Sequence, residues 1–140
     1  MEIRPAMKSD FPMLANLMTE LGYPSSVEDI ALRMEGIAGR DDYAAFVSVE
    51  QNIVAGMIGL SVSPSFYRSG LGGAIIALVV SPDFRGRGIA ASLITYAEQW
   101  LREKGADRVT INPSNHRLPA HRLYHRLGYD NTGIRFTKAL

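Results

Sequence analysis

No cysteine occurs in these 140 residues. That absence removes disulfides, thiolate metal sites and a cysteine nucleophile, and it suits a reducing compartment. Uninterrupted apolar runs are also missing: none approaches the roughly 20 residues that cross a bilayer, so no membrane partner is expected. The N-terminal stretch MEIRPAMKSDF has no basic segment leading into an apolar one, the mark of a secretory signal. A cytoplasmic location is the expectation. Charge of one sign is not in excess either, since 15 Lys plus Arg face 14 Asp plus Glu for a formal net charge of +1. A general polyanion binder needs more than that, and the arginines near 117–126 are interleaved with the apolar face of a helix, so no nucleic-acid partner is expected. Finally, no lysine occurs between Lys8 and Lys104. A Walker-type phosphate loop, which ends in Gly-Lys-Ser/Thr, is excluded.

What is present is the balance of a globular chain, 46% hydrophobic and 21% charged, of a length that fits one domain over residues 1–140. MEIRPA reads as a short strand ended by Pro5. Ser9 or Asp10 can cap a helix in which Phe11, Leu14, Leu17, Met18 and Leu21 recur at helical spacing before Gly22. Ser25-x-x-Glu28 has the form of a capping box for a second helix. YAAFVSVE and NIVAGMIGLSVS, joined by Gln51-Asn52, predict a hairpin. AIIALVV is apolar on both alternating sets, as in a strand covered on both faces. A helix follows over about 89–104, burying Leu93, Ile94, Ala97, Trp100 and Leu101 and carrying Glu98 and Glu103 outside. RVTIN predicts a strand, RLPAHRLYHRLG a helix with Ala120, Leu123, Tyr124 and Leu127 on one face, and YDNTGIRFTKAL a last strand or hairpin. The fold class is α/β, with helices around a mixed central sheet.

One segment carries chemistry. SPDFRGRGIAASL places Arg85-Gly86-Arg87-Gly88 where a strand gives way to a helix. Such a junction exposes the unpaired N–H groups of the first helical turn, and with the positive end of the helix dipole they suit a phosphate. Gly86 and Gly88 put no side chain in its way. A tight turn without a ligand satisfies the same residues. The spacing Gly86-x-Gly88-x-x-Ala91 matches a dinucleotide fingerprint on paper, but the acidic residue that should end the next strand is misplaced, since Asp107 precedes RVTIN. Too little chain remains after the turn to complete a doubly wound domain.

Arg85-x-x-Gly88-x-Ala90 also resembles the Q/R-x-x-G-x-G/A acyl-CoA signature of the GCN5-related N-acetyltransferase superfamily, and AHRLYHRLGY resembles that family's A-x-x-L/F-Y-x-x-x-G-F/Y segment. The order of elements fits over the whole chain. The resemblance implies an acyl-CoA N-acyltransferase fold, with about six or seven strands and about four helices. It implies an N-acetyltransferase that uses acetyl-CoA as cosubstrate and needs no metal. Main-chain N–H groups of Gly86, Arg87, Gly88, Ile89, Ala90 and Ala91, with Arg85 at the rim, would take the CoA pyrophosphate. The backbone of Leu78, Val79 and Val80 would pair with the pantetheine arm, and Tyr124 would protonate the departing thiolate. The spacing of Tyr124 to Ala120 and Leu127 is equally that of a core aromatic.

No general base is assigned. Many relatives carry a glutamate in the strand before the turn, and GGAIIALVV has no carboxylate. Glu20 on the first helix is a candidate or a solvated helix charge. His116, His121 and His125 flank the last helix, and His121 and His125 are four apart without the acidic partner of an H-E-x-x-H site. The C-terminal half is similar to aminoalkylphosphonate and other small-amine N-acetyltransferases, though Ala74 and Ala77 stand where those enzymes carry glutamates. The resemblance therefore favours a small-molecule amine acceptor, with Tyr23, Tyr67 and Arg68 in the loops that wall its cleft. It leaves open a homodimer, a protein acceptor, and a non-catalytic acyl-CoA sensor of the same fold.

Overall fold

The computed structural model describes residues 1–111, 118–131 and 136–140, with the side chains of 118–120 left aside. β1 (Glu2–Pro5) is followed by a 3-10 turn, α1 (Phe11–Leu21) and α2 (Val27–Ile37). Then come β2 (Tyr43–Glu50), β3 (Ile53–Pro64), β4 (Leu71–Val80), α3 (Ile89–Glu103), β5 (Ala106–Ile111) and α4 (Leu118–Arg126). The strands form one sheet in chain order, antiparallel from β1 to β4, with β5 parallel to β4.

Two apolar layers sandwich this sheet. On one face, α1 and α2 set Leu14, Leu17 and Ile30 against Val47, Met57 and Val79. On the other, α3 sets Ile89, Leu93, Ile94 and Ala97 against Phe46, Ile58, Leu60 and Ile75. The helical spacing in the sequence predicted these stripes, and Leu93, Ile94, Ala97 and Leu101 are all fully buried. Trp100 is only half-buried, at the margin beside Phe46. Gln51 and Asn52 make the β2–β3 turn, both at positive φ (49° and 65°), as the right-handed twist of a tight hairpin requires.

Two helix starts differ from their expected form. The capping box of α2 is Ser26 with Asp29, one residue later than Ser25 with Glu28. The hydroxyl of Ser25 is engaged elsewhere, donating to the Tyr23 carbonyl and accepting from Arg33. Asp10 does stand at the N-cap of α1, but its carboxylate turns back to the Arg4 guanidinium (2.7 and 2.9 Å) and the Met7 N–H. The Arg4 hydrogen bonds hold this buried carboxyl below its usual range. A charge-assisted pair satisfies a buried carboxylate better than a helix end alone.

The sheet has five strands among the described residues, against the six or seven expected. Residues 132–135 of the anticipated last strand or hairpin lie outside the described residues. The remainder, 129–131 and 136–140, is not strand. Phe136 is 91% exposed there, so its ring adds no apolar burial to offset the cost of ordering residues 136–140.

Gly56 sets the spacing between β3 and β4: a Cβ there would stand 2.9 Å from the Val79 carbonyl oxygen and 3.3 Å from buried Leu93. Gly56→Ala is expected to destabilise by about 1–3 kcal/mol through overpacking. A urea midpoint at the parental value would disprove the close approach.

Candidate active site

β4 is built asymmetrically. Its ladder with β3 runs from Pro64↔Leu71 to Gly56↔Val80, whereas the ladder with β5 ends at Ile75↔Ile111. Among the described residues, the half of β4 that contains Leu78, Val79 and Val80 therefore has no strand on its β5 side. At the point of divergence, Gly59 pairs with Ala77 and Leu60 with Ile75, so Ile76 is an extra, bulged residue. The bulge switches the facing of the strand: Ile75 packs on the α3 layer, and Ala77, two residues on, packs on the α1 layer. Beyond it, Leu78 and Val80 line the α3 side and Val79 is buried on the other. An open edge of this kind presents N–H and C=O groups to an extended ligand.

The edge leads directly into the glycine turn. Ser81 N–H is tied to the Ala55 carbonyl (2.7 Å), Pro82–Phe84 form a 3-10 turn, and Gly86 and Gly88 take left-handed φ of 79° and 76°. Gly88 is the N-cap of α3, without a side-chain cap, and the Ser92 N–H makes the first helical bond, to its carbonyl (3.1 Å). Helix geometry leaves the N–H groups of Ile89, Ala90 and Ala91 without helical acceptors. A Cβ on Gly86 or Gly88 would meet nothing within 4 Å, so the space before this turn is open. The arginines diverge: Arg87 lies over the Phe84 ring (5.1 Å to the centroid), and Arg85 pairs with Glu20 of α1 (3.2 Å).

Tyr124 lies half-buried on α4, packed against the same apolar layer as Leu78 and Val80. Burial raises its phenol above the ordinary value. Of the predicted face of α4, Leu123, Tyr124 and Leu127 pack on this layer, and the Ala120 side chain lies outside the described residues. His121 stacks near the Tyr124 ring (centroids 6.3 Å apart). His116 lies outside the described residues. The loop residues Tyr23, Tyr67 and Arg68 are exposed, Tyr67 at 95%.

Two residues acquire roles that the sequence reading did not give them. Glu20 is engaged with Arg85, which joins the last turn of α1 to the glycine turn. Glu98, expected outside α3, is half-buried and accepts a hydrogen bond from the Tyr129 hydroxyl at 2.7 Å. Its spacing of four from Ile94 and three from Leu101 was the available signal, since it places Glu98 beside the buried stripe.

Residues 10–129 match the model of the acetyltransferase (GNAT) family. The chain belongs to the GNAT family. It is 39% identical over 87 residues to an aminoalkylphosphonate N-acetyltransferase of Salmonella typhimurium, a match that covers 62% of this chain and 56% of that protein. Among solved structures it is similar to a GNAT family acetyltransferase of Staphylococcus aureus (26% identity, TM-score 0.82, 99% of this chain and 98% of that one). An aminoglycoside N-acetyltransferase in complex with CoA shares the fold at 20% identity (TM-score 0.86, 99% and 93% covered). So does a transcriptional regulator from Bacillus halodurans, also 20% identical with a TM-score of 0.88 and 99% of both chains covered, which separates GNAT architecture from any one activity.

The left-handed N-cap gives a direct test of the turn. Gly88→Ala, in open space but at φ 76°, is expected to cost about 1–2 kcal/mol from backbone strain alone. Gly36→Ala inside α2, equally open, is expected to gain a few tenths to about 1 kcal/mol. Equal thermal midpoints for the two variants would contradict the αL assignment.

Proposed function

We propose that this chain is an acetyl-CoA-dependent N-acetyltransferase that acetylates the amine of a small molecule by direct attack in a ternary complex. The observation that carries the reading is the continuity of the open edge of β4 with the uncapped first turn of α3. That surface has the length and chemistry for an extended amide-bearing arm ending in a pyrophosphate. The backbone of Leu78, Val79 and Val80 would take the arm. The N–H groups from Gly86 to Ala91, with Arg85 and Arg87 beside them, would take the phosphates.

The reaction follows from that placement. The neutral amine attacks the thioester carbonyl carbon, a main-chain N–H near Val80 receives the developing oxyanion, and collapse breaks the C–S bond. Tyr124 donates its proton to the departing thiolate. Its buried environment suits this role, because a phenol raised above its ordinary value stays protonated across the working range. The proton shed by the attacking nitrogen leaves to water and water returns one to the Tyr124 phenolate, since β4 carries no carboxylate and Glu20 is paired with Arg85. The relatives that act on small amines support the choice of acceptor class.

The same lack of a carboxylate favours a second reading, an acyl-CoA-binding domain without turnover. A panel of amines with acetyl-CoA separates the two. Release of CoA with at least one amine supports the enzyme, and CoA binding with silence across the panel supports the sensor. Tyr124→Phe should lower kcat at least tenfold and leave the Kd for CoA within twofold; equal rates would remove the acid role. Gly88→Ala should weaken CoA binding at least threefold, and an unchanged Kd would place the phosphates elsewhere.

The pH profile tests the missing base. With no enzyme carboxylate or imidazole as base, kcat/KM should rise through the pKa of each acceptor amine and show no alkaline fall below about pH 10, where Tyr124 is still protonated. Two amines of different basicity should therefore give limbs displaced by the difference in their pKa values. A limb fixed at one pH for both would reveal a base on the protein.

A further inference from the structure

α4 is only nine residues long, too short to hold its position without tertiary anchors. Its C-terminus is closed by a Schellman motif centred on Tyr124. The Tyr124 carbonyl accepts the Tyr129 N–H at 2.9 Å, the His125 carbonyl accepts the Gly128 N–H at 3.1 Å, and Gly128 takes the left-handed φ of 91° that the motif requires. The backbone of Tyr129 is thereby locked to the backbone of Tyr124.

The other end of Tyr129 reaches α3. Its hydroxyl donates to Glu98 Oε2 at 2.7 Å, a charge-assisted bond spanning 31 positions in sequence. Both tyrosines pack on the apolar layer that α3 builds. This side-chain hydrogen bond ties the segment 121–129 to α3.

We infer that Glu98 and Tyr129 are positioning residues: a strut from α3 through Glu98, the Tyr129 ring and the Schellman cap fixes where the Tyr124 phenol stands on the apolar layer it shares with Leu78 and Val80. This rests on the acid role proposed for Tyr124. The logic is geometric. The N-terminal turn of α3 is where the phosphates are proposed to sit, and Glu98 lies two to three turns further along the same helix. A displacement of about 1 Å in a reacting group is enough to cost a large part of the rate.

The test uses Tyr129→Phe, Glu98→Ala and Glu98→Gln, with Tyr129→Phe also made in the Tyr124→Phe background. Tyr129→Phe and Glu98→Ala should each lower kcat three- to tenfold with the Kd for CoA within twofold. Glu98→Gln, whose amide oxygen can accept the same bond, should keep at least half of the parental kcat. In the Tyr124→Phe background, Tyr129→Phe should cost nothing more. An unchanged kcat for Tyr129→Phe, or an equal further loss without the Tyr124 hydroxyl, would overturn the inference. Amide hydrogen exchange supplies a readout independent of turnover. Tyr129→Phe should speed exchange at Leu127 and Tyr129 while the amides of α3 keep their protection, and unchanged exchange at both would also overturn the strut. Full activity of Tyr124→Phe would instead remove the acid role and leave the strut to be judged by exchange.

Discussion

Among the described residues, β4 is paired along its whole length on one side and only as far as Ile75 on the other. Most of the site depends on that asymmetry. The complete β3 ladder and the close approach at Gly56 keep the strand in place, although among the described residues half of its second edge has no paired strand. The bulged Ile76 sits where the two ladders cease to agree, and it turns Ala77 and Val79 toward α1 while Leu78 and Val80 turn toward α3. Unpaired strand edges are ordinarily a liability. Here the edge runs into a helix N-terminus whose first N–H groups have no helical acceptor, so the two lie end to end.

Around this edge the electrostatics are local and nearly balanced, as the net charge of the chain already indicated. The two arginines of the glycine turn do not act as a pair: Arg87 rests on Phe84, and Arg85 is tied to Glu20 across the interface with α1. Both partners of that ion pair are partly exposed, so its worth is within the range of about 0–1 kcal/mol usual for such contacts. Its consequence is geometric, because it joins the helix that leads into the Tyr23 loop to the turn that would hold phosphate. The Glu20 carboxylate, a base candidate in the sequence, is thereby also a partner of the glycine turn.

Much of the fold was legible because its signals are local. The stripe Leu93, Ile94, Ala97, Leu101 specified one face of α3 through helical spacing, and Gln51-Asn52 specified a hairpin through tolerance of positive φ. The glycine turn was legible for the same reason. Errors arose where a side chain had a choice of partner. Ser25 and Ser26 can each cap α2, and the Tyr23 carbonyl and Arg33 decided between them. Asp10 can cap α1, and Arg4, brought alongside by β1, drew it away. Of the expected last strand, residues 132–135 lie outside the described residues, and Phe136 after them is exposed, without an apolar surface to bury against.

Two dipeptides show where the boundary falls. Gly22-Tyr23 and Gly128-Tyr129 end α1 and α4 by the same Schellman pairing, with N–H bonds from Tyr23 to Met18 and from Tyr129 to Tyr124, each 2.9 Å. The sequence alone determines that much, because a glycine after the last apolar residue is the cheapest way to reverse φ and satisfy the final carbonyls. It cannot determine what the tyrosine side chain then meets. Tyr23 is left half-exposed in a loop, whereas Tyr129 is carried onto α3 and bonded to Glu98. The difference comes from contacts 31 residues apart, which exist only once both helices are packed on the sheet.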